Sequence, residues 1–280
     1  MSPESDSRPP WVIGRRGRLE IEFAWRRGRT IVSRAYAEPP YRIAAFDLGA
    51  AAYVMVVCSG PGVFPGDALA QTVRVGSGAR ALLTSQAALQ VHPGSGPPAV
   101  IRHAYRLEPD AELHCHWDPV IPFAGAAFSQ QLEIEADPAS RLYWSDALMA
   151  GRLSRGEAWR FHELGHELQL RVACRLQYLE RFRLTPSGRA LSSSCVAGDA
   201  GYFGSTIVKH PRIDSETAET LHRDLATADG ARVAVDVVDS DLLVARTIAA
   251  SGPAFDAMRR ALRRLVAESI FQQPNLVGRK

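Results

Sequence analysis

Between residues 168 and 184 apolar and polar side chains alternate almost without a break. Leu168, Leu170, Val172, Cys174, Leu176, Tyr178, Phe182 and Leu184 share one parity, and only Glu180 interrupts them. Gln169, Arg171, Arg175, Gln177, Arg181 and Arg183 occupy the other parity. A period of two belongs to a strand, whose successive side chains point to opposite faces, and not to a helix. The stretch therefore predicts one long strand, or two strands with a bend near Glu180, buried on one face and wet on the other.

The same period recurs. Leu132, Ile134 and Ala136 alternate with Glu133 and Glu135 until Asp137-Pro138 stops them, and Val233, Val235 and Val237 lead through Asp239-Ser240-Asp241 into a second apolar run. Thr72-Val73-Arg74-Val75 enters Gly76-Ser77-Gly78 before the apolar stretch 79–91, which predicts a hairpin. Turn chemistry also marks Pro93-Gly94-Ser95-Gly96, Pro186-Ser187-Gly188 and Asp229-Gly230. Helical spacing appears twice. Ala218, Leu221, Leu225 and Ala228 follow a cap at Asp214 or Ser215. Phe255, Met258, Leu262, Leu265, Val266 and Ile270 follow Pro253, with Arg259, Arg260, Arg263 and Arg264 mostly off that stripe. The expectation is one mainly-β domain with two helices over residues 17–280, after a flexible tail at 1–16.

Composition narrows the function. Of 280 residues, 46% are hydrophobic, enough for a sizeable core, and the net charge of +3 gives no basis for a dedicated nucleic-acid binder. The opening MSPESDSRPP lacks the apolar core of a signal peptide, and the longest apolar run, 50–57, is too short to span a bilayer. Four cysteines without a C-x-x-C pair suggest neither a zinc knuckle nor a disulfide framework, so a cytoplasmic location is expected.

Two stretches look metal-like. His162-Glu163-Leu164-Gly165-His166 spells the H-E-x-x-H of zinc hydrolases, in which both histidines grip one ion and the glutamate is the base. On a helix the two rings converge, but on a strand four residues span about 13 Å. The motif also runs into the alternating segment, Gly165 is poor within a helix, and the continuation lacks the metzincin glycine and third histidine. Coincidence is the preferred reading, with a zinc hydrolase as the alternative. His114 and His116 would share a strand face with Asp118 beyond them, a donor set suited to zinc, nickel or copper, or simply a polar strand edge. Asp146, Arg152 and Glu157 by themselves read as a charged loop.

In order along the chain, "GPGVFPGDAL" (60–69), "ALLTSQAALQVH" (81–92), "HWDPVIPFAGAAFSQ" (116–130), "LYWSDALMAGRLSRGEAWRF" (142–161) and the "LQYLERFRL" strand resemble successive blocks of the UreD (UreH) urease accessory family. The resemblance runs from about residue 17 to 273. It departs at Gly60-Pro61-Gly62, at Gln90-Val91-His92 and at Pro274-Asn275-Leu276-Val277, where the family usually has Gly-Gly, Lys-Val-Tyr and Pro-Arg-aromatic. The resemblance implies an elongated, partly β-helical stack of strands and no catalysis. It implies a scaffold that binds apo-urease, recruits a UreF-like and a UreG-like partner, and serves nickel insertion, with no tightly bound cofactor. A scaffold for maturing another metalloenzyme is a further alternative.

The resemblance also implies a polar internal route that holds a nickel ion only transiently. Polar residues in otherwise apolar blocks are the candidates for it: Asp67, Thr84, Ser85, Asp146 and Glu157, and after them His114 and His116. Finally, the apolar segments 50–57 and 81–91 are read either as surface for a UreF-like partner that would stabilise the protein or as fully buried strands.

Overall fold

The computed structural model describes residues 14–186, 191–225 and 230–273. Two hairpins open the fold: β1 (Arg16–Arg26) with β2 (Arg29–Ala37), and β3 (Tyr41–Leu48) with β4 (Ala51–Cys58). The chain then shuttles between two walls. β5 (Ala68–Val75) joins the first wall and β6 (Arg80–Ser85) the second, and the short β7 (Leu89–Val91) turns the corner. β8 (Ala99–Leu107), β9 (Glu112–His116) and the short β10 (Val120–Pro122) repeat the circuit, followed by β11 (Ala127–Ala136) and β12 (Arg141–Met149). β13 (Glu163–Val172) and β14 (Arg175–Leu184) close the first wall as a hairpin. β15 (Tyr202–Lys209), α1 (Ser215–Leu225), β16 (Ala231–Asp239), β17 (Leu242–Ala249) and α2 (Gly252–Val266) complete the second wall and its cover.

The first wall runs β14-β13-β11-β8-β5-β1-β2 and the second β16-β17-β15-β12-β9-β6-β4-β3. Their middles pair in parallel, β1·β5·β8·β11·β13 and β4·β6·β9·β12. Each circuit thus adds one strand to each wall, a solenoid-like stack in a single domain. The inner faces meet in one core, where Leu83, Cys115, Trp144 and Ile207 pack toward Val73, Tyr105, Leu132 and Leu168. α1 and α2 cover the outer face of the second wall through Leu221, Leu225, Met258, Leu262 and Val266 on Tyr143, Val208 and Leu243. No described helix is long and apolar enough to cross a membrane.

The strand alternation and both helices are where the sequence places them. Asp214 Oδ1 accepts the Thr217 N–H at 2.7 Å and so caps α1, and Ser251 caps α2 ahead of Pro253. Ala228, Asp229, Ser187 and Gly188 lie outside the described residues, as do residues 1–13 of the expected tail and the 274–277 ending. At the end of that tail Arg15 is already hydrogen-bonded to Asp67.

Three expectations are corrected. Gly76-Ser77-Gly78 forms no hairpin: it is a corner that carries the chain from β5 in one wall to β6 in the other, because a tight turn does not specify which sheet the next strand joins. The reversal in 168–184 is at Ala173-Cys174, not at Glu180. Both residues adopt left-handed backbone (φ 49° and 65°), the two-residue geometry that twists with its strands. A register shift near Leu170 leaves Leu176 43% exposed and keeps Glu180 on the inner face. Arg259 and Arg263 are buried under α2 rather than off its apolar stripe. Of the two readings of segments 50–57 and 81–91, burial holds within β4 and β6, where Val54, Leu82 and Leu83 are wholly buried, while Gln86, Ala87 and Gln90 after β6 are exposed.

The Ala173-Cys174 turn carries its own prediction. A non-glycine residue in left-handed backbone costs about 1 kcal/mol, so Cys174→Gly is expected to stabilise the protein by about that amount. Urea unfolding would register it as a higher midpoint at unchanged slope.

Candidate functional site

The space between the walls is not uniformly apolar. Six strands each set one polar side chain at an inward position flanked by apolar ones. They are Gln71 on β5, His103 on β8, Gln130 on β11, Asp146 on β12, His166 on β13 and Glu180 on β14. Around them lie two cavities, of about 470 Å³ and 320 Å³. Gln71, His103, Gln130 and Asp146 line the larger, and Gln130, Asp146, His166 and Glu180 the smaller, so the two abut at Gln130 and Asp146. The seam crosses the strands and therefore runs along the stacking direction.

Hydrogen bonds hold the seam together. Gln71 Nε2 donates to Tyr105 Oη at 2.7 Å, His103 Nδ1 lies 3.3 Å from the same oxygen, and Gln130 Nε2 lies 3.4 Å from His103 Nε2. Trp144 Nε1 donates to Asp146 Oδ2 at 3.1 Å. At the far end Glu180 accepts from Ser205 Oγ at 3.0 Å and from Arg246 Nη1 at 2.7 Å. At the near end Ser85 Oγ donates to Asp118 Oδ2 at 2.7 Å beside the Cys58–Gly62 rim.

Burial sets the charges. It pushes Asp146 up, with Glu180 adding to the rise and His166 opposing it. His103 is driven down to about 4 by burial and by His166, so it is neutral at pH 7. Burial also raises Glu180, but Arg246, with His166 and Ser205, offsets this and the carboxyl ends below its usual range.

The sequence candidates sort cleanly in space. Ser85 and Asp146 line the larger cavity. Asp67, 2% exposed, faces no cavity: it accepts the Arg15 N–H at 2.6 Å, the Arg15 guanidinium at 2.6 Å and the Phe64 N–H at 3.0 Å, a structural clasp. Thr84 sits on the other face of β6, 2.9 Å from Tyr53 Oη. Glu157 takes Arg152 Nε at 2.7 Å, so Arg152 serves Glu157 and not Asp146. His114 points away from the cavities, 3.0 Å from Glu112 and packed on Phe271, and His116 shares its side of β9.

In the H-E-x-x-H stretch, exposed His162 precedes β13, Glu163 pairs with Arg183 at 2.7 Å, and His166 stacks inward on Phe182. Among the described residues no group of three or more His, Cys, Asp or Glu is disposed to hold a metal ion. Substituting His162 with alanine is accordingly expected to leave the metal content of the purified protein unchanged by elemental analysis.

Gln71, His103, Gln130 and Glu180 were not singled out for the polar interior by the sequence, and His166 was noticed only within the H-E-x-x-H stretch. The available signal was one polar residue at buried parity in each of several apolar strands.

The UreD urease accessory protein family model matches residues 15–280. A urease accessory protein UreD of Sorangium cellulosum is 35% identical over 74% of this chain and 66% of its own length. The Deinococcus radiodurans protein of the same name is 29% identical over 97% of this chain and 98% of its own. A UreD 2 of Streptomyces griseus is 28% identical over 93% and 94%. These relatives are named as accessory proteins and not as enzymes. With a match spanning nearly its whole length, the chain belongs to the UreD family of urease accessory proteins.

Proposed function

We propose that this protein is a cytoplasmic scaffold for nickel insertion into apo-urease, acting with a UreF-like and a UreG-like partner, and that the seam between its walls conducts the ion. The observation that carries this is the continuity of the seam: two cavities share Gln130 and Asp146, and polar groups recur along the stacking axis from Ser85 and Asp118 to Glu180. Nickel must enter and leave, so the wall should offer single oxygen and imidazole contacts and not a chelating set. Scattered carboxylates and amides do this, with the ion keeping most of its water. Buried carboxylates are costly unless paired or hydrated, and a wet seam meets that condition.

Gln130→Trp tests the route by filling the neck shared by both cavities. Urease purified from cells carrying the variant is expected to be nickel-poor while the accessory complex still co-purifies. Normal nickel content with the complex intact would overturn the route. Asp67→Leu is no test of it, because that change releases Arg15 and breaks a clasp.

A further inference from the structure

This inference rests on the route just proposed and concerns how its carboxylates are held. α2 lies on the outer face of the second wall, and Arg259 reaches from it into the sheet with only 5% of its surface exposed. Its Nη2 donates to the Trp117 carbonyl oxygen at 2.9 Å and to Ser145 Oγ at 3.0 Å. The Trp117 N–H in turn donates to the Ser145 carbonyl oxygen at 2.8 Å, so one guanidinium sits where the end of β9 meets β12.

The next residue in each segment is a carboxylate: Asp118 follows Trp117, and Asp146 follows Ser145. Neighbouring side chains on a strand point to opposite faces, so the Ser145 hydroxyl meets the helix while Asp146 enters the larger cavity. Asp118 lines that cavity too. Both hydrogen-bond partners of Arg259 are neutral oxygens. Burying this cation is costly, and its direct partners are neutral, so an apolar residue would pack α2 at less expense.

We propose that Arg259 is a positioning residue for the ion's route: from the helix side of the sheet it pins the two segments that carry Asp118 and Asp146, and so couples the seating of α2 to the shape of the cavity. The hydrogen bonds of Arg259 hold the two segments, and its charge also acts through space on both carboxylates.

The test compares Arg259→Met, Arg259→Lys and Met258→Ala in the full chain, each alone and combined with Asp146→Asn. Nickel content of urease is measured at an added nickel concentration where Asp146→Asn still gives measurable loading, and co-purification of the complex is followed in parallel. Arg259→Met is expected to lose most loading with assembly intact. Arg259→Lys should keep most of it, because one ammonium can bond both oxygens. Met258→Ala removes a buried neighbour on α2 and controls for a loosened helix. Combining Arg259→Met with Asp146→Asn should cost little beyond the worse single change. Normal loading in Arg259→Met, an equal loss in Met258→Ala, or losses that multiply in the combined variant would each overturn the proposal. If Asp146→Asn itself loads normally, the route fails and this inference with it; if only Arg259→Met loads normally, the positioning role alone is lost.

Discussion

Asp146→Asn is expected to leave the protein at least as stable as wild type while nickel loading of urease collapses. The two effects separate because they use different properties of one side chain. Asparagine keeps the shape and can still accept from Trp144 Nε1, now 3.1 Å from Asp146 Oδ2, but it carries no charge to bury. Burial pushes the Asp146 carboxyl above its ordinary range, so ionising it in the folded protein costs free energy. That cost is absent below the unfolded value of about 3.9 and grows as pH rises through the folded-state pKa. The melting temperature of Asp146→Asn should therefore match wild type in acid and equal or exceed it at pH 7. Losing a charged contact of about 1.5–3 kcal/mol should slow ion passage roughly ten- to a hundredfold. A variant that melts lower at neutral pH than in acid, relative to wild type, would contradict the burial argument. One that loads nickel normally would contradict the route.

The largest loss of stability is expected from Lys209→Ala. Lys209 is wholly buried at the end of β15, where its Nζ donates to the Pro138 carbonyl at 2.7 Å and the Ser140 carbonyl at 3.1 Å. It also lies 3.0 Å from Asp241 Oδ2. One ammonium thus ties the β11–β12 turn to the β16–β17 turn. Its removal strands two carbonyls and a partly buried carboxylate, a loss of about 3–5 kcal/mol. At roughly 2–4 °C per kcal/mol for chains near this size, the melting temperature should fall by about 10 °C. Lys209→Met restores the volume but not the donors. It should recover only the cavity share of the loss, and calorimetry of the two variants separates packing from polar satisfaction.

What could be read from the sequence follows from which forces act locally. The alternations at 132–136, 168–184 and 233–237 are local and strong, and so are the caps at Asp214 and Ser251, so strands and helices were legible. The pairing was not: Gly76-Ser77-Gly78 looks the same whether the next strand returns to the same sheet or crosses to the other. The turn at Ala173-Cys174 has neither asparagine nor glycine to announce its left-handed backbone. Arg259 and Arg263 are buried against the rule that guanidiniums flank an apolar stripe, and the partners of Arg259, Trp117 and Ser145, lie more than a hundred residues away in sequence. Of the route candidates, Ser85 and Asp146 line the larger cavity. Thr84 was misplaced by one step of parity, and Asp67 was claimed by Arg15, a contact no local pattern announces.

The stacked circuits also fix a unit of length. Because the seam runs across the strands, the distance between its ends is counted in strand spacings of about 4.8 Å each. A relative that gained or lost one whole circuit would change that distance by one such step and keep its corners, while an insertion within a corner would leave it untouched. Evolution of reach in this architecture is therefore digital: chain length can drift at the corners without altering how far the interior extends, and the interior can lengthen only by a complete turn of the chain.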